Sequence, residues 1–223
     1  MRRSLDTPLW IRPGFSWGVW GFLALFLAIP VAVELTLQAS DADLIGSARW
    51  RAMAYQFGAF WPGLLDNWRP NYAAQPWTMF VSYLFLHTGL WHLAGNMMTF
   101  VMLFAGLKGR IGGRRLAVIY LASALGGAIG FALLGTEYRP MVGSSGALFG
   151  LVAAWRWQDW CPGDPGGFRV WMFLRDCTGL TLLNALMWIT EGGALAWEAH
   201  LGGFVAGFLA VAFWLRPAGA SCP

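Results

Sequence analysis

The sequence predicts an all-α integral membrane protein with six transmembrane helices and a long first external loop. Of its 223 residues, 57% are hydrophobic and only 12% are charged, and apolar runs of helical length recur along the chain. Soluble domains carry roughly 25% charged residues, and a membrane span needs about 20 apolar residues. Fifteen tryptophans fit anchoring at the membrane interface, where an apolar ring with one N–H donor is stable.

Six apolar runs define the predicted spans. Residues 1–14 form a polar lead, and the absence of a small-residue cleavage site after the first run favours an uncleaved helix over a signal peptide. A mixed segment at about 38–88, rich in Trp, Pro, Asp and Arg, forms the external loop. The predicted six-span domain covers 15–216, and a short tail covers 217–223. The spans lie at residues 15–37, 90–107, 116–135, 145–160, 177–190 and 196–215.

The fourth and fifth predicted spans are short. A short fourth helix is tolerated where its start lies below the membrane surface, sheltered by neighbouring helices and reached by water. The start of the fifth span stays open between Phe168 and Cys177, because the earlier start places Arg175 and Asp176 inside the helix.

The basic residues predict the orientation. With the N-terminus in the cytoplasm, eleven of the fifteen Lys and Arg residues lie on the cytoplasmic side. This excess follows the positive-inside rule and places both termini in the cytoplasm. The net charge of +4 is therefore a topological signal, and no basic stripe interleaved with aromatic residues indicates nucleic-acid binding. The four outer basic residues are Arg49, Arg51, Arg69 and Arg139.

In this orientation, polar residues near the starts of spans two, four and six share one layer close to the outer face. His92 and Asn96 lie in span two, Ser145 opens span four, and His200 lies about one turn into span six. Polar side chains inside spans are costly, so they are candidates for function. Residues with unrelated structural roles are not expected to collect in one layer.

Ser145 and His200 are a candidate nucleophile and base. A serine hydroxyl becomes nucleophilic when a base removes its proton, and histidine, with an unperturbed pKa of about 6.5, accepts and returns a proton near neutral pH. The structural alternative is a helix-capping serine and a hydrogen-bonded core histidine. Glu198 points to the opposite side of the helix, so the sequence favours a dyad. Its imidazole would be oriented by packing, with Phe149 as a candidate surface.

His92 and Asn96 are candidate donors to an oxyanion, because residues four apart share one helix face. Together with the backbone N–H of Ser145, they can bind the oxygen that gains charge when serine attacks a carbonyl. The alternative is an interhelical hydrogen bond that only stabilises the bundle.

Glycine spacing predicts contact between spans four and six. Gly146 and Gly150 lie four residues apart, as do Gly203 and Gly207. Small residues at this interval let helix backbones approach closely in lipid. We therefore expect these two spans to touch, which brings the candidate base to the candidate nucleophile.

Three stretches together resemble the rhomboid family of intramembrane serine proteases. They are GSSGALFG (143–150), AHLGGFVAG (199–207) and HTGLWHLAGN (87–96), and the likeness extends over roughly residues 75–210. A GxSG motif alone is weak in a chain with 29 glycines, but three motifs in order on the expected spans are specific. The resemblance implies a rhomboid-like six-span bundle, with both termini in the cytoplasm in bacterial forms.

The resemblance also implies roles for individual residues. The serine of the GxSG motif, Ser145, is the nucleophile, and the histidine of the AHxxGxxxG helix, His200, is the base. The HxxxN pair, His92 and Asn96, supports the oxyanion. The supporting residues implied are Phe149, Gly143, Gly146, Gly203, Gly207 and His87.

Two positions depart from the family pattern. Many members carry Tyr where Phe149 stands, so a hydroxyl is missing while the ring is kept. The external loop of the family usually carries Trp-Arg; PWT at 76–78 is the nearest counterpart, and WR occurs at 68–69. His87 matches a family position near the active site, and we expect its ring to make structural hydrogen bonds.

The function implied is hydrolysis of a peptide bond in or near a transmembrane segment of a membrane protein substrate. The protein would be a multi-pass component of a bacterial inner membrane, with no metal and no cofactor. A substrate helix would enter laterally and unwind locally, and an acyl-enzyme on Ser145 would then be hydrolysed. The loop at 190–196, TEGGALA, has a glycine pair suited to a gate.

Three other functions are alternatives. A rhomboid-like pseudoprotease would bind membrane helices without cutting them, although the usual sign, loss of the serine or histidine, is absent. A metal site would use His87, His92 and His200, but the spacing of the first two fits one helix face poorly. A channel or transporter lacks support, because the spans show no ring of charges and no inverted repeat.

Overall fold

The computed structural model describes residues 17–135, 139–157, 166–190 and 192–214. Within these ranges the chain is helical, and an isolated antiparallel bridge joins Phe60 to Met141. Two short 3₁₀ helices, Pro62–Leu65 and Tyr83–Phe85, lie in the external loop. The α-helices are α1 (Trp17–Asp41), α2 (Trp50–Gly58), α3 (Gln75–Ser82), α4 (Leu90–Ile111), α5 (Gly113–Leu134), α6 (Ser145–Trp157), α7 (Gly166–Thr190) and α8 (Trp197–Trp214).

Each predicted span overlaps one of the longer helices. Helices α1, α4 and α5 are long and apolar enough to cross a membrane, and α8 is a shorter apolar helix. The count of six spans therefore stays a prediction. The predicted terminal segments at 1–14 and 217–223 lie outside the described residues, as do residues 158–160 at the end of the predicted fourth span.

Helix α7 settles the start that the sequence left open. It begins at Gly166 and therefore includes Arg175 and Asp176. Asp176 bonds Arg156 of α6, with 2.5 Å between Oδ2 and Nε, and its other oxygen lies 2.9 Å from Nη2 of Arg175. Pairing offsets the cost of placing charges in an otherwise apolar helix.

Helices α5, α6 and α8 pack so closely that a Cβ atom does not fit at several of their glycines. A methyl group at Gly203 would lie 2.6 Å from the carbonyl carbon of Gly146 and closer still to its oxygen. From α5, a methyl group at Gly130 would lie 2.9 Å from the Cα atom of Gly202. The predicted contact between spans four and six is confirmed, and α5 is a third member that the spacing of the glycine pairs did not predict.

The external loop holds the segment that leads into α6. Phe60 and Met141 exchange backbone hydrogen bonds of 3.0 and 2.9 Å, and the N–H of Gly143 donates to the carbonyl oxygen of Tyr83 at 3.0 Å. The buried Tyr83 hydroxyl in turn donates to the carbonyl oxygen of Ala124 in α5 at 2.8 Å. These bonds fix the backbone just before Ser145.

Arg51 of α2 links the outer end of α1 to the segment before α4. Its guanidinium donates to the buried Glu34 at 2.9 Å, to Asp41 at 2.6 Å and to the carbonyl oxygen of His87 at 3.2 Å. The Tyr55 hydroxyl donates to the same carbonyl at 2.8 Å. Burial opposes the charged form, but hydrogen bonds to Glu34 and Asp41 outweigh it and raise the pKa of Arg51 above its ordinary value.

Candidate active site

Ser145 and His200 lie within hydrogen-bond distance at the starts of two different helices. Ser145 is the first residue of α6, and His200 lies in the first turn of α8. Nε2 of His200 is 2.7 Å from Oγ of Ser145, although the two residues are 55 positions apart in the chain. His200 is only 2% exposed.

Close helix packing beside the pair explains how they meet. A methyl group at Gly146, the residue after Ser145, would lie 2.9 Å from the carbonyl oxygen of Ala199, the residue before His200. Because Gly146 carries no side chain into this contact, α6 and α8 approach far enough for Ser145 and His200 to bond.

Phe149 forms one wall of the imidazole site. It lies one turn after Ser145 on α6, and its ring stacks on that of His200 with centroids 4.2 Å apart and planes 8° from parallel. Stacking restricts rotation of the imidazole and keeps water from its face. The ring supplies this surface without the hydroxyl that Tyr would add.

Asn184 of α7 is a polar partner of His200 that sequence reasoning missed. Its Oδ1 lies 2.6 Å from Nδ1 of His200, and its Nδ2 donates to the carbonyl oxygen of Leu180 at 2.8 Å. The expectation of a dyad oriented by packing alone is therefore incomplete. The available signal was an amide in the middle of the apolar run TGLTLLNALMWIT, since a polar side chain within a span is a functional candidate.

His92 and Asn96 of α4 lie beside the turn that precedes Ser145. A Cβ atom at Gly143 would lie 2.8 Å from Nε2 of His92 and 3.8 Å from Nδ2 of Asn96. The backbone at Gly143 has φ +105, a conformation that favours glycine. Because Gly143 has no side chain, the His92 ring and the Asn96 amide can lie directly against the turn that precedes Ser145.

The hydrogen bonds of His92 define its tautomer. Its Nδ1 receives the backbone N–H of Thr88 at 3.4 Å and lies 3.0 Å from the Thr88 hydroxyl. A backbone N–H only donates, so Nδ1 accepts, and the proton of the neutral ring is on Nε2. Nδ2 of Asn96 donates one hydrogen to the carbonyl oxygen of His92 at 3.0 Å and keeps a second. Both side chains thus offer N–H donors near Gly143.

His87 is buried next to this group without the ring hydrogen bonds that we expected. Both ring nitrogens lack a partner within the described part of the chain, whereas the carbonyl oxygen accepts from Arg51 and Tyr55. Its ring meets that of His92 edge to face, with centroids 5.1 Å apart. Burial, with a smaller effect of His92, lowers the pKa of His87 to about 3, so the ring is neutral at physiological pH.

Glu198 lies on the side of α8 away from Ser145, as the sequence indicated. It lines a small polar cavity of about 120 Å³ that it shares with Arg139. Arg139 donates to the carbonyl oxygens of Ala194 and Leu195, the latter at 3.0 Å. The loop before α8 is thereby attached to the segment before α6.

An apolar cleft of about 840 Å³ separates α7 from α8 and reaches His200. Leu180 and Trp188 line it from α7, and Leu201 and Phe204 line it from α8. It is large enough for several side chains and opens beside the serine–histidine pair.

The geometry gives no support to a metal site. In the ranges that the structure describes, no group of three His, Cys, Asp or Glu side chains is close enough to hold a metal ion. His200 bonds Ser145 and Asn184 instead of the other two histidines.

Comparison with known proteins identifies the class and then the family. The apolar helices, together with a match of residues 73–217 to the family model described as Rhomboid domain, define a multi-pass integral membrane protein. Because the match covers more than half of the chain, the protein belongs to the rhomboid family, as the sequence motifs indicated.

Relatives with sequence similarity include both plant and mammalian proteins. RHOMBOID-like protein 5 of Arabidopsis thaliana is 33% identical over 146 residues, covering 61% of this chain and 44% of its own length. RHOMBOID-like protein 2 of the same plant is 28% identical over 185 residues, covering 80% and 50%. Inactive rhomboid protein 1 of Rattus norvegicus is 31% identical over 157 residues, covering 68% and 17%. The chain thus spans half or less of the length of these relatives.

Proposed function

We propose that this protein is an intramembrane serine endopeptidase that hydrolyses peptide bonds in or near transmembrane segments of membrane proteins. The observation that carries the proposal is the 2.7 Å separation between Oγ of Ser145 and Nε2 of His200. Asn184 occupies the other ring nitrogen, so Nε2 is the atom that accepts the serine proton. A serine that only caps a helix would not need a histidine nitrogen at its hydroxyl.

The proposed reaction follows from these contacts. Oγ of Ser145 attacks the carbonyl carbon of the scissile bond while its proton moves to Nε2 of His200. The imidazolium then gives this proton to the leaving amine as the C–N bond breaks, which leaves an acyl-enzyme. Water attacks the ester with His200 again as base, and the carboxylic product and Ser145 are released.

Three donors would stabilise the oxyanion in each tetrahedral intermediate. They are Nε2–H of His92, the second amide hydrogen of Asn96, and the backbone N–H of Ser145, which at the first position of α6 has no intrahelical acceptor. Donors fixed in advance in a site that excludes bulk water favour the transition state over the ground state. Removal of one such donor typically lowers the rate constant by about 100- to 1000-fold.

The cleft between α7 and α8 supports a route for the substrate. Its apolar lining suits side chains of a transmembrane segment that has locally unwound beside Ser145. Gly192 and Gly193 adopt φ of +60 and +86, a left-handed conformation that favours glycine, and we propose the adjoining loop as a gate. We further propose six spans, with both termini in the cytoplasm of a bacterial inner membrane, from the distribution of basic residues.

The test is cleavage of a transmembrane reporter in proteoliposomes by the wild type and by Ser145→Ala, His200→Ala and Ser144→Ala. We expect the first two variants to lose at least about 1000-fold in rate, because the nucleophile or its base is gone. Ser144→Ala is the matched control, since Ser144 is buried in the same turn but its hydroxyl makes no hydrogen bond to a described residue, and it should keep its activity. Cleavage by Ser145→Ala at the wild-type rate would exclude this nucleophile.

A rhomboid-like pseudoprotease that binds membrane helices without cleaving them is the second candidate, favoured by the relatives named inactive. A serine-reactive fluorophosphonate probe separates the two functions, because it labels an activated serine without needing the natural substrate. Labelling of the wild type, and not of His200→Ala, would favour the protease. A folded wild type that is never labelled would favour the binder.

A further inference from the structure

We propose that Asn184 is a positioning residue that holds His200 in the tautomer with the proton on Nδ1. This inference rests on the proposed function, because the tautomer matters only if His200 is the base for Ser145. It adds a neutral third member to the serine–histidine pair, and it places this member on α7 instead of on the helices that carry the pair.

The orientation of the amide is fixed by its own second bond. Nδ2 of Asn184 donates to the carbonyl oxygen of Leu180 at 2.8 Å, one turn earlier on α7. The opposite orientation would place Oδ1 against that carbonyl oxygen, where neither atom can donate. Oδ1 therefore faces Nδ1 of His200 at 2.6 Å and accepts its hydrogen.

This bond determines which ring nitrogen is free to act as base. A neutral imidazole carries one proton, so placing it on Nδ1 leaves the lone pair on Nε2, 2.7 Å from Ser145. Without an acceptor for Nδ1–H, part of the population carries the proton on Nε2 and cannot take another from serine. The same oxygen also receives a stronger, charge-assisted hydrogen bond when His200 becomes an imidazolium.

A neutral acceptor suits the surroundings of the ring. His200 is stacked on Phe149 and borders an apolar cleft. A carboxylate in such a place costs more to desolvate than an amide whose donor and acceptor are both satisfied. Glu198 is near in sequence, but it lines the separate polar cavity and cannot serve instead.

The position of Asn184 makes the tautomer depend on α7. No side chain of α7 between residues 171 and 190 is fully buried, so this helix is the least embedded of those that contact the pair. It is tied to α6 by the bond between Arg156 and Asp176, far along the helix from Asn184. If the part of α7 that carries Asn184 moved outward, Oδ1 of Asn184 would leave Nδ1 of His200, while Ser145 on α6 stayed in place.

The first arm of the test reads the tautomer directly. The chain has three histidines, so ¹⁵N-histidine spectra of the 223-residue chain in micelles at about pH 8 contain three ring systems, which single-histidine variants assign. We expect His200 to be protonated on Nδ1 in the wild type, mixed in Asn184→Ala, and again on Nδ1 in Asn184→Asp. An unchanged His200 spectrum in Asn184→Ala would overturn the proposal.

The second arm measures the rate of labelling by a fluorophosphonate, which does not require a substrate helix to dock. Asn184→Ala should be slowed about 10- to 100-fold, the loss of a hydrogen bond to a charged partner. Asn184→Asp should recover to within a few-fold of the wild type. Thr178→Val is the matched control: it removes an exposed hydroxyl of α7 that does not line the cleft, and it should label normally.

The outcomes separate this inference from the proposed function. A slower labelling of Asn184→Ala with an unchanged tautomer of His200 would overturn the positioning role, because lost packing would then explain the slower rate. A wild type that is neither labelled nor able to cleave a reporter would overturn the protease function. In that case the spectra of Asn184→Ala still decide whether the amide sets the tautomer.

Discussion

Substitution of Gly203 by Ala is expected to separate the helices that carry the serine and the histidine. The added methyl carbon would lie 2.6 Å from the carbonyl carbon of Gly146 and closer to its oxygen. Non-bonded heavy atoms rest at about 3.5–4.0 Å, so α6 and α8 must move apart by about 1 Å. The obstacle is backbone, so no side-chain rotation relieves it.

Two measurable effects follow from this displacement. Overpacking of a well-packed interface costs about 1–3 kcal/mol, and the backbone clash at Gly203 places this variant at about 3 kcal/mol. A 1 Å shift also stretches the 2.7 Å bond between Ser145 and His200 beyond the normal range of hydrogen bonds. Stability and fluorophosphonate labelling should therefore fall together, with a loss of at least about 10-fold in labelling rate.

The assay is thermal unfolding in detergent micelles combined with labelling at a temperature where both proteins are folded. Gly179→Ala is the matched control, because a Cβ atom at this position on α7 meets nothing within 4 Å. It should be neutral or gain up to about 1 kcal/mol from helix propensity. If Gly203→Ala melted and labelled like the wild type, the close approach of α6 and α8 would not hold the pair together.

Two further predictions concern the segments on either side of the site. Gly143→Ala should lower the labelling rate at least about 10-fold, because its methyl would lie 2.7 Å from Cε1 of His92 and displace a proposed oxyanion donor. Gly112→Ala, with a similar φ of +89 and no neighbour within 4 Å, controls for backbone strain and should label normally. For His87, burial lowers the pKa to about 3 in the folded protein, so the unfolded chain, with a pKa of about 6.5, binds the proton first. The free energy of unfolding should therefore fall as the pH drops from about 6.5 towards 3, by up to about 1.4 kcal/mol per pH unit. The fall should be smaller in His87→Leu. If the melting temperatures of the two proteins changed in parallel between about pH 7 and 4, this prediction would be contradicted.

Local patterns predicted the positions of the long helices because lipid imposes a simple rule on their composition. Each apolar run overlaps a helix, since an unbroken run has no other way to satisfy its backbone in a membrane. The boundaries were less accurate where charge intervened: α7 starts at Gly166 and includes Asp176, which is tolerated inside the helix because it pairs with Arg156 of another helix. Such pairing between distant positions leaves no trace in local composition.

The external loop was the least predictable part of the fold. The family's Trp-Arg element has its predicted counterparts at residues 68–69 and 76–78, yet Arg51, after Trp50, makes the bonds that connect the loop to α1 and to the carbonyl oxygen of His87. The partner Glu34 lies inside a predicted span, where a lone carboxylate is a sign of a buried ion pair. That residue was the signal by which Arg51 could have been found.

The contacts among the motif residues of the candidate site were predictable from the sequence. The contact that Asn184 makes from a third helix, α7, was not. Ser145, Phe149 and His200 come from two glycine-spaced helices, and their meeting follows from that spacing. Asn184 lies on α7, where a Cβ atom at the one glycine whose surroundings are described, Gly179, meets nothing within 4 Å. Its contact depends on tertiary placement that no periodicity of the sequence encodes.

His92 and His200 carry their ring protons on different nitrogens because their neighbours differ. Nδ1 of His92 accepts from the backbone of Thr88, so Nε2 carries the hydrogen and can only donate towards the turn at Gly143. Nδ1 of His200 donates to Asn184, so Nε2 has a lone pair and accepts from Ser145. Under the proposed mechanism, exchange of these two tautomers would leave the oxyanion without the His92 donor and Ser145 without a base, although every side chain stayed in place. The proposed chemistry therefore depends on Thr88 and Asn184 as much as on the histidines, because each of these neighbours determines which ring nitrogen faces Ser145 or the turn at Gly143.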